Sequence, residues 1–143
     1  MKRTWTLGAV SVALALTTAV VFAQREQGTR VIFARSRSAK FSPLVPGVSS
    51  YVAWGDTLTG PFGGFTKFRP GFDAGLHTHT ADVLLVVLRG AYLYRDDAGA
   101  KRVGPGDFLR IPGGHKHWSG GDRKEGALFY QETFGKFDLI PAK

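Results

Sequence analysis

Downstream of residue 30, short runs of apolar and aromatic residues alternate with clusters of glycine, proline and polar residues, and the clusters recur about every 8 to 12 residues. The apolar runs fall at 31–34, 50–54, 65–68, 83–88, 91–95, 107–111 and 127–134, and turn signals separate them. No run keeps a 3.6-residue period long enough to make a helix. Short strands at this regular spacing predict an all-β sandwich or barrel in a single domain, residues 31–143. The run 83–88 is apolar at every position, so both of its faces must be covered. One face would line the interior. The other, Leu84, Val86 and Leu88, would meet a second sheet or a partner subunit, and a homodimer is expected there. Six glycines, Gly71, Gly75, Gly90, Gly106, Gly113 and Gly114, stand where sharp turns call for positive φ.

The first 30 residues follow a different pattern. Lys2 and Arg3 precede an uncharged apolar run from Leu7 to Val21, and Val21-Phe22-Ala23 offers small residues around a cleavage point. The run is shorter than the ~20 residues a membrane-spanning helix needs. The expectation is a cleaved export signal at 1–23, no retained transmembrane helix, a flexible lead at 24–30, and a periplasmic or secreted mature chain. The net charge of +8 falls to +6 without Lys2 and Arg3. The remaining cations are scattered, without the clustering or aromatic interleaving of a nucleic-acid surface, so no nucleic-acid partner is expected. Cysteine is absent, which excludes disulfides, thiolate ligands and a cysteine nucleophile. Any metal must be met by nitrogen and oxygen.

The chain has 4 histidines, and all fall in two short stretches, His77-Thr-His79 and His115-Lys-His117. Residues two apart in a strand share a face, so His77 and His79 project together. His117 opens a strand after the turn at 112–114 and could meet that pair across a barrel. Three imidazoles would hold a divalent metal and leave coordination positions open for water or substrate. His115 has the parity of His117 but sits in the turn, where a rim position is the simpler reading. Tyr92, Tyr94, Tyr130, Gln131 and Glu132 are further candidates for the pocket wall, with Gln131 or Glu132 able to supply an oxygen ligand. Trp118, of opposite parity to His117, is expected to pack away from it.

On these residues the sequence resembles the cupin superfamily. Gly71, His77, His79 and Gly90 fit the first cupin motif, except that Val83 stands where glutamate is expected. Gly106, Pro112, Gly114 and His117 fit the second, with Gly121 in place of its asparagine. The ending, Gly135-Lys-Phe-Asp-Leu-Ile-Pro141, is similar to that of an exported cupin branch without an assigned function. The resemblance implies a jelly-roll β-barrel with a metal at its mouth, frequent dimerisation, and a three-histidine centre of the kind found in some iron dioxygenases. An apolar wall would replace the usual carboxylate ligand. Asp82 is the nearest substitute, although alternation points it away unless a bulge intervenes.

Two functions follow. One is a metal-dependent enzyme on a small, possibly anionic molecule, either an oxidoreductase of the dioxygenase type or a lyase or isomerase. His77, His79 and His117 would be the metal ligands, and Asp82 and His115 the candidate catalytic acid or base. Iron, manganese or copper would permit redox turnover, and zinc would exclude it. The other is an envelope module that binds or senses a ligand or metal without turnover; a barrel with an empty site is a third, lesser reading.

Overall fold

A computed structural model describes residues 30–143, of which Ala34–Lys143 form one compact unit. The export signal expected at 1–23 lies outside the described residues, as does nearly all of the lead. Among the described residues no helix is present, and none is long and apolar enough to cross a membrane. The strands are β1 (Ser42–Val45), β2 (Val48–Gly55), β3 (Phe62–Phe68), β4 (Asp73–Thr78), β5 (Val83–Gly90), β6 (Tyr92–Asp96), β7 (Gly99–Val103), β8 (Phe108–Ile111), β9 (His117–Gly121), β10 (Ala127–Thr133) and β11 (Ile140–Pro141).

They build two antiparallel sheets, ordered β1-β2-β3-β10-β5-β8 and β11-β4-β9-β6-β7. The alternation read along β5 holds. Val83, Leu85 and Val87 are buried and join Tyr92, Tyr94, Val103, Ile111, Ala127 and Phe129 in the core, whereas Leu84 and Val86 are half-buried and Leu88 is exposed. β10 alternates strictly between buried and half-buried positions, as a central strand with one interior face should.

Three expectations need correction. The apolar run at 31–34 is not a strand, and Val31, Ile32 and Phe33 are exposed. Apolarity marks residues that suit a strand but does not itself form a ladder, and the first strand among the described residues begins at Ser42. Conversely, β4 begins at Asp73, between the two turn glycines Gly71 and Gly75, because its partner β9 extends the ladder back to Asp73↔Gly120. Gly113 does not have positive φ, unlike the other five glycines. It is needed for space: a Cβ there would come within 2.4 Å of the Thr80 carbonyl oxygen. That close approach, with the Gly114 N–H donating to the His79 carbonyl at 2.7 Å, seats the turn before β9 directly against the end of β4.

Candidate metal centre

β4 and β9 are hydrogen-bonded neighbours in the second sheet, and their register makes His77 and His117 cross-strand partners. His79 lies one residue beyond the end of β4. The three side chains are almost fully buried, at 1, 6 and 0 % exposure for His77, His79 and His117. One ring nitrogen from each lies within 4.8 Å of the other two. The sequence reading grouped these three, and the fold brings them together.

The remaining ring nitrogens settle which atoms face one another. Nδ1 of His77 donates to the Gly75 carbonyl at 2.8 Å, and Nδ1 of His117 to the His115 carbonyl at 2.9 Å. Nδ1 of His79 donates to the carbonyl of Asp138. A carbonyl oxygen only accepts, so each Nδ1 carries the proton and each Nε2 keeps a lone pair. His117 Nε2 is buried and has no hydrogen-bond partner. Burial lowers the pKa of all three rings, opposed by the three carbonyl bonds, and His117 is held down to about 4. The rings are therefore neutral at pH 7. An orphaned buried acceptor among three neutral imidazoles, each fixed in one tautomer by a backbone oxygen, fits a divalent metal ion.

His77 and His79 border a cavity of about 190 Å³ whose walls include Phe68, Phe72, Phe129, Phe137 and Leu139, and His117 stands behind them. Its other polar groups are Thr66, Tyr92, Ser119 and Gln131, and among the described residues no carboxylate or cation lines it. Val83 stands in this wall, where the resemblance leads one to expect glutamate. Tyr92, hydrogen-bonded to Ser119, has its hydroxyl pKa pushed up to about 12 by burial and stays neutral. Of the oxygen candidates on β10, Gln131 reaches the cavity. Glu132 faces the other side of the sheet, where it accepts from Tyr130 Oη at 2.7 Å, and Tyr130 in turn accepts from Trp54. A larger groove of about 860 Å³, passing Lys67, Arg69 and Arg89, shares Leu44, Val45, Val48 and Phe68 with this cavity but is not lined by the histidines.

Asp82 and His115 are both turned to other partners. Asp82 accepts from Arg110 Nη2 at 2.6 Å and from the Gly113 N–H at 2.9 Å, on the exposed side of the β4–β5 connection. His115 is part-exposed, with Nε2 3.0 Å from Asp96 Oδ2. The same oxygen accepts from Tyr94 Oη at 2.7 Å, and the Tyr94 ring stacks on His117 at 5.5 Å. These two hydrogen bonds hold the Asp96 carboxyl down to about 2. Neither residue belongs to the histidine cluster or lines the cavity. Trp118 points away from His117 as expected and donates to Asp73 Oδ1 at 2.6 Å. What sequence reasoning did not find is Asp138, whose carbonyl orients His79 from a distant part of the chain.

Two antiparallel sheets enclosing a histidine cluster at the end of a small apolar cavity define a β-barrel with three histidines placed so that they could hold a metal ion. The family model for the cupin domain matches residues 64–130, which contain all three histidines, and the chain belongs to the cupin superfamily. The fold is similar to that of KdgF from Halomonas sp., with 18% identity over 73% of this chain and 94% of that one, and a TM-score of 0.60. It is also similar to the polyketide cyclase RemF from Streptomyces resistomycificus, with 15% identity over 80% and 87% of the two chains and a TM-score of 0.65. A third likeness is to the Rhodobacter sphaeroides complex of SigE with the anti-sigma ChrR, with 22% identity, a TM-score of 0.54, and 69% of this chain covering 50% of that one. None of the curated proteins matches the chain.

Proposed function

We propose that the protein is a metal-dependent cupin enzyme that acts on a small anionic or enolate-like molecule, with His77, His79 and His117 as metal ligands. The observation that carries this reading is the convergence of three buried, neutral imidazoles, each with Nδ1 tied to a backbone carbonyl, beside an uncharged apolar cavity that His77 and His79 line. A divalent ion bound there would supply Lewis-acid polarisation of a substrate oxygen, with redox chemistry added if it were iron, manganese or copper. The chain's own residues do the rest. Phe68, Phe72, Phe129, Phe137 and Leu139 exclude water, which strengthens every electrostatic contact inside. Gln131 and Thr66 offer the polar contacts that orient a ligand. Three neutral ligands leave the positive charge of an ion uncompensated, and this favours an anion in the cavity. At about 190 Å³ the cavity is smaller than the ~300–1,000 Å³ of clefts for drug-sized ligands, so the substrate is small.

The second reading, a binding or sensing module, is favoured by the absence of any carboxylate or cation among the cavity-lining residues to act as general acid or base. RemF is named as a cyclase and ChrR as an anti-sigma protein, so the shared fold accommodates both. Elemental analysis of protein purified from its native compartment identifies the metal. Assays of oxygen uptake and product formation with small carboxylates and diketones then separate the two: turnover is expected, and saturable binding without turnover would favour the module.

Export before metal loading and a homodimer belong to the same proposal. The outer face of β5, with Leu84, Val86 and Leu88, continues into exposed Phe108, the cross-strand partner of Val86 on β8. Light scattering is expected to give twice the chain mass, and Phe108→Asp the monomer. A wild-type monomer would remove the dimer from the account.

A further inference from the structure

The segment after β10 belongs to neither histidine motif, yet it is fastened beside the site at five points. The Thr133 hydroxyl donates to the Gly135 carbonyl at 2.7 Å, and the Phe137 N–H donates to the Thr57 carbonyl at 3.1 Å. Ile140 and Pro141, as β11, pair with Thr78 and His77 on β4, and the Ala142 N–H donates to the Leu76 carbonyl at 2.9 Å. Between these anchors stands Asp138. Its Oδ1 accepts from the Thr80 N–H at 2.8 Å and its Oδ2 from the Thr80 hydroxyl at 2.6 Å, while its own carbonyl accepts a hydrogen bond from the Nδ1–H of His79.

The three histidines are oriented by different means. His77 and His117 find their acceptors two residues back in their own chain segment, at Gly75 and His115. Both oxygens are local, that of Gly75 within β4 and that of His115 in the turn that leads into β9. His79 is past the end of β4, and its acceptor comes from a residue 59 positions away. That oxygen is only as well placed as the segment carrying it. The two-point grip on Thr80, the immediate neighbour of His79, ties the oxygen to the ring it must meet.

We propose that Asp138 is the positioning residue for His79: by holding Thr80 through both carboxylate oxygens, it keeps its own carbonyl on Nδ1 and so keeps Nε2 directed at the other two rings. This inference rests on the metal-site reading above and deepens it. Outer-shell partners of this kind fix the tautomer and orientation of a ligating histidine, and their loss typically weakens metal binding by about 10- to 100-fold. The same segment supplies Phe137, whose ring lies 5.2 Å from that of His79, and Leu139 to the cavity wall. Loosening Asp138 therefore weakens the ligand and opens the cavity together.

Two measurements on the full chain test this. In metal-free protein at pH 8, side-chain ¹⁵N resonances report the tautomer of each histidine. His79 is expected as pure Nδ1–H in the wild type and as a mixture in Asp138→Ala, with His77 and His117 unchanged. Asp138→Asn keeps one oxygen for Thr80 and should retain most of the wild-type signature. Competition between protein and a chelator for Zn²⁺ should show affinity lower by about 10- to 100-fold in Asp138→Ala. Arg102→Ala, which breaks an exposed ion pair with Asp122 elsewhere, should change neither readout. If Asp138→Ala does not fold, Thr80→Val removes one of the two bonds and reports the same effect at smaller size. Wild-type tautomer and wild-type Zn²⁺ affinity in both variants would overturn the proposal. A wild type that takes up no Zn²⁺ would sink the metal reading instead, and the tautomer would still decide the role of Asp138.

Discussion

His77 and His117 face each other across the β4–β9 ladder with ring centroids 4.3 Å apart, so protonating one disfavours protonating the other. The structure has no carboxylate among the residues lining the adjoining cavity to relieve that repulsion. Only neutral rings, or rings sharing an ion, satisfy this arrangement.

The first consequence is a pH dependence of the metal-free protein. His77, His79 and His117 all have lowered pKa values in the folded state, whereas an unfolded chain takes up protons near 6.5. Below that value the unfolded state binds more protons, so stability present above pH 6.5 is lost as the pH falls toward about 4, the value for His117. Chemical denaturation at pH 7.5 and 5 should show the lower midpoint at pH 5, and His117→Gln should reduce the difference. Equal midpoints would contradict the assignment of neutral buried rings.

Val83→Glu tests the consequence of the apolar wall. The buried carboxylate would face the histidines without a cation among the cavity-lining residues, so the metal-free variant should lose roughly 3 kcal/mol of stability. Saturating Zn²⁺ should restore most of that loss and bind more tightly than to the wild type. A variant as stable as the wild type without metal would show that position 83 does not face the site.

Asp82→Asn should leave Zn²⁺ affinity within about twofold, because the residue is committed to Arg110 and the Gly113 N–H outside the cluster. A large loss on chelator competition would return Asp82 to the site.

Phe129→Ala addresses the packing that supports the cavity. Phe129 is 1 % exposed and meets Phe68 and Tyr92 edge-on at 5.0 and 5.2 Å. Its truncation should cost about 3–5 kcal/mol in denaturant unfolding. A loss under 1 kcal/mol would mean that the core closes around the gap.

The parts of this molecule that were legible in the sequence are those set by local periodicity. Alternation along residues 83–88 assigned the inner and outer faces of β5, and the i, i+2 spacing placed His77 and His79 on one side. Trp118 against His117 followed from the same rule. Parity also points Asp82 away from the site, and its partner Arg110 could not be read because that contact depends on the pairing of β5 with β8. The strand β4 was obscured because Gly71 and Gly75 mark it as a turn, while the cross-strand ladder to β9 makes it a strand. Asp138 left no local signal at all. A carbonyl acceptor has no side-chain signature, and contact across 59 positions is set by where the final segment docks.

The most direct test of the account is a titration of metal-free protein with Zn²⁺ at pH 7.5, comparing the wild type with His117→Ala. The three-histidine centre predicts saturation at one ion per chain in the wild type and, in the variant that lacks one of three ligands, a loss of affinity beyond the about 10- to 100-fold typical of losing a ligand's hydrogen-bond partner. A wild type that binds no ion, or a variant that binds it equally well, would contradict the three-histidine centre.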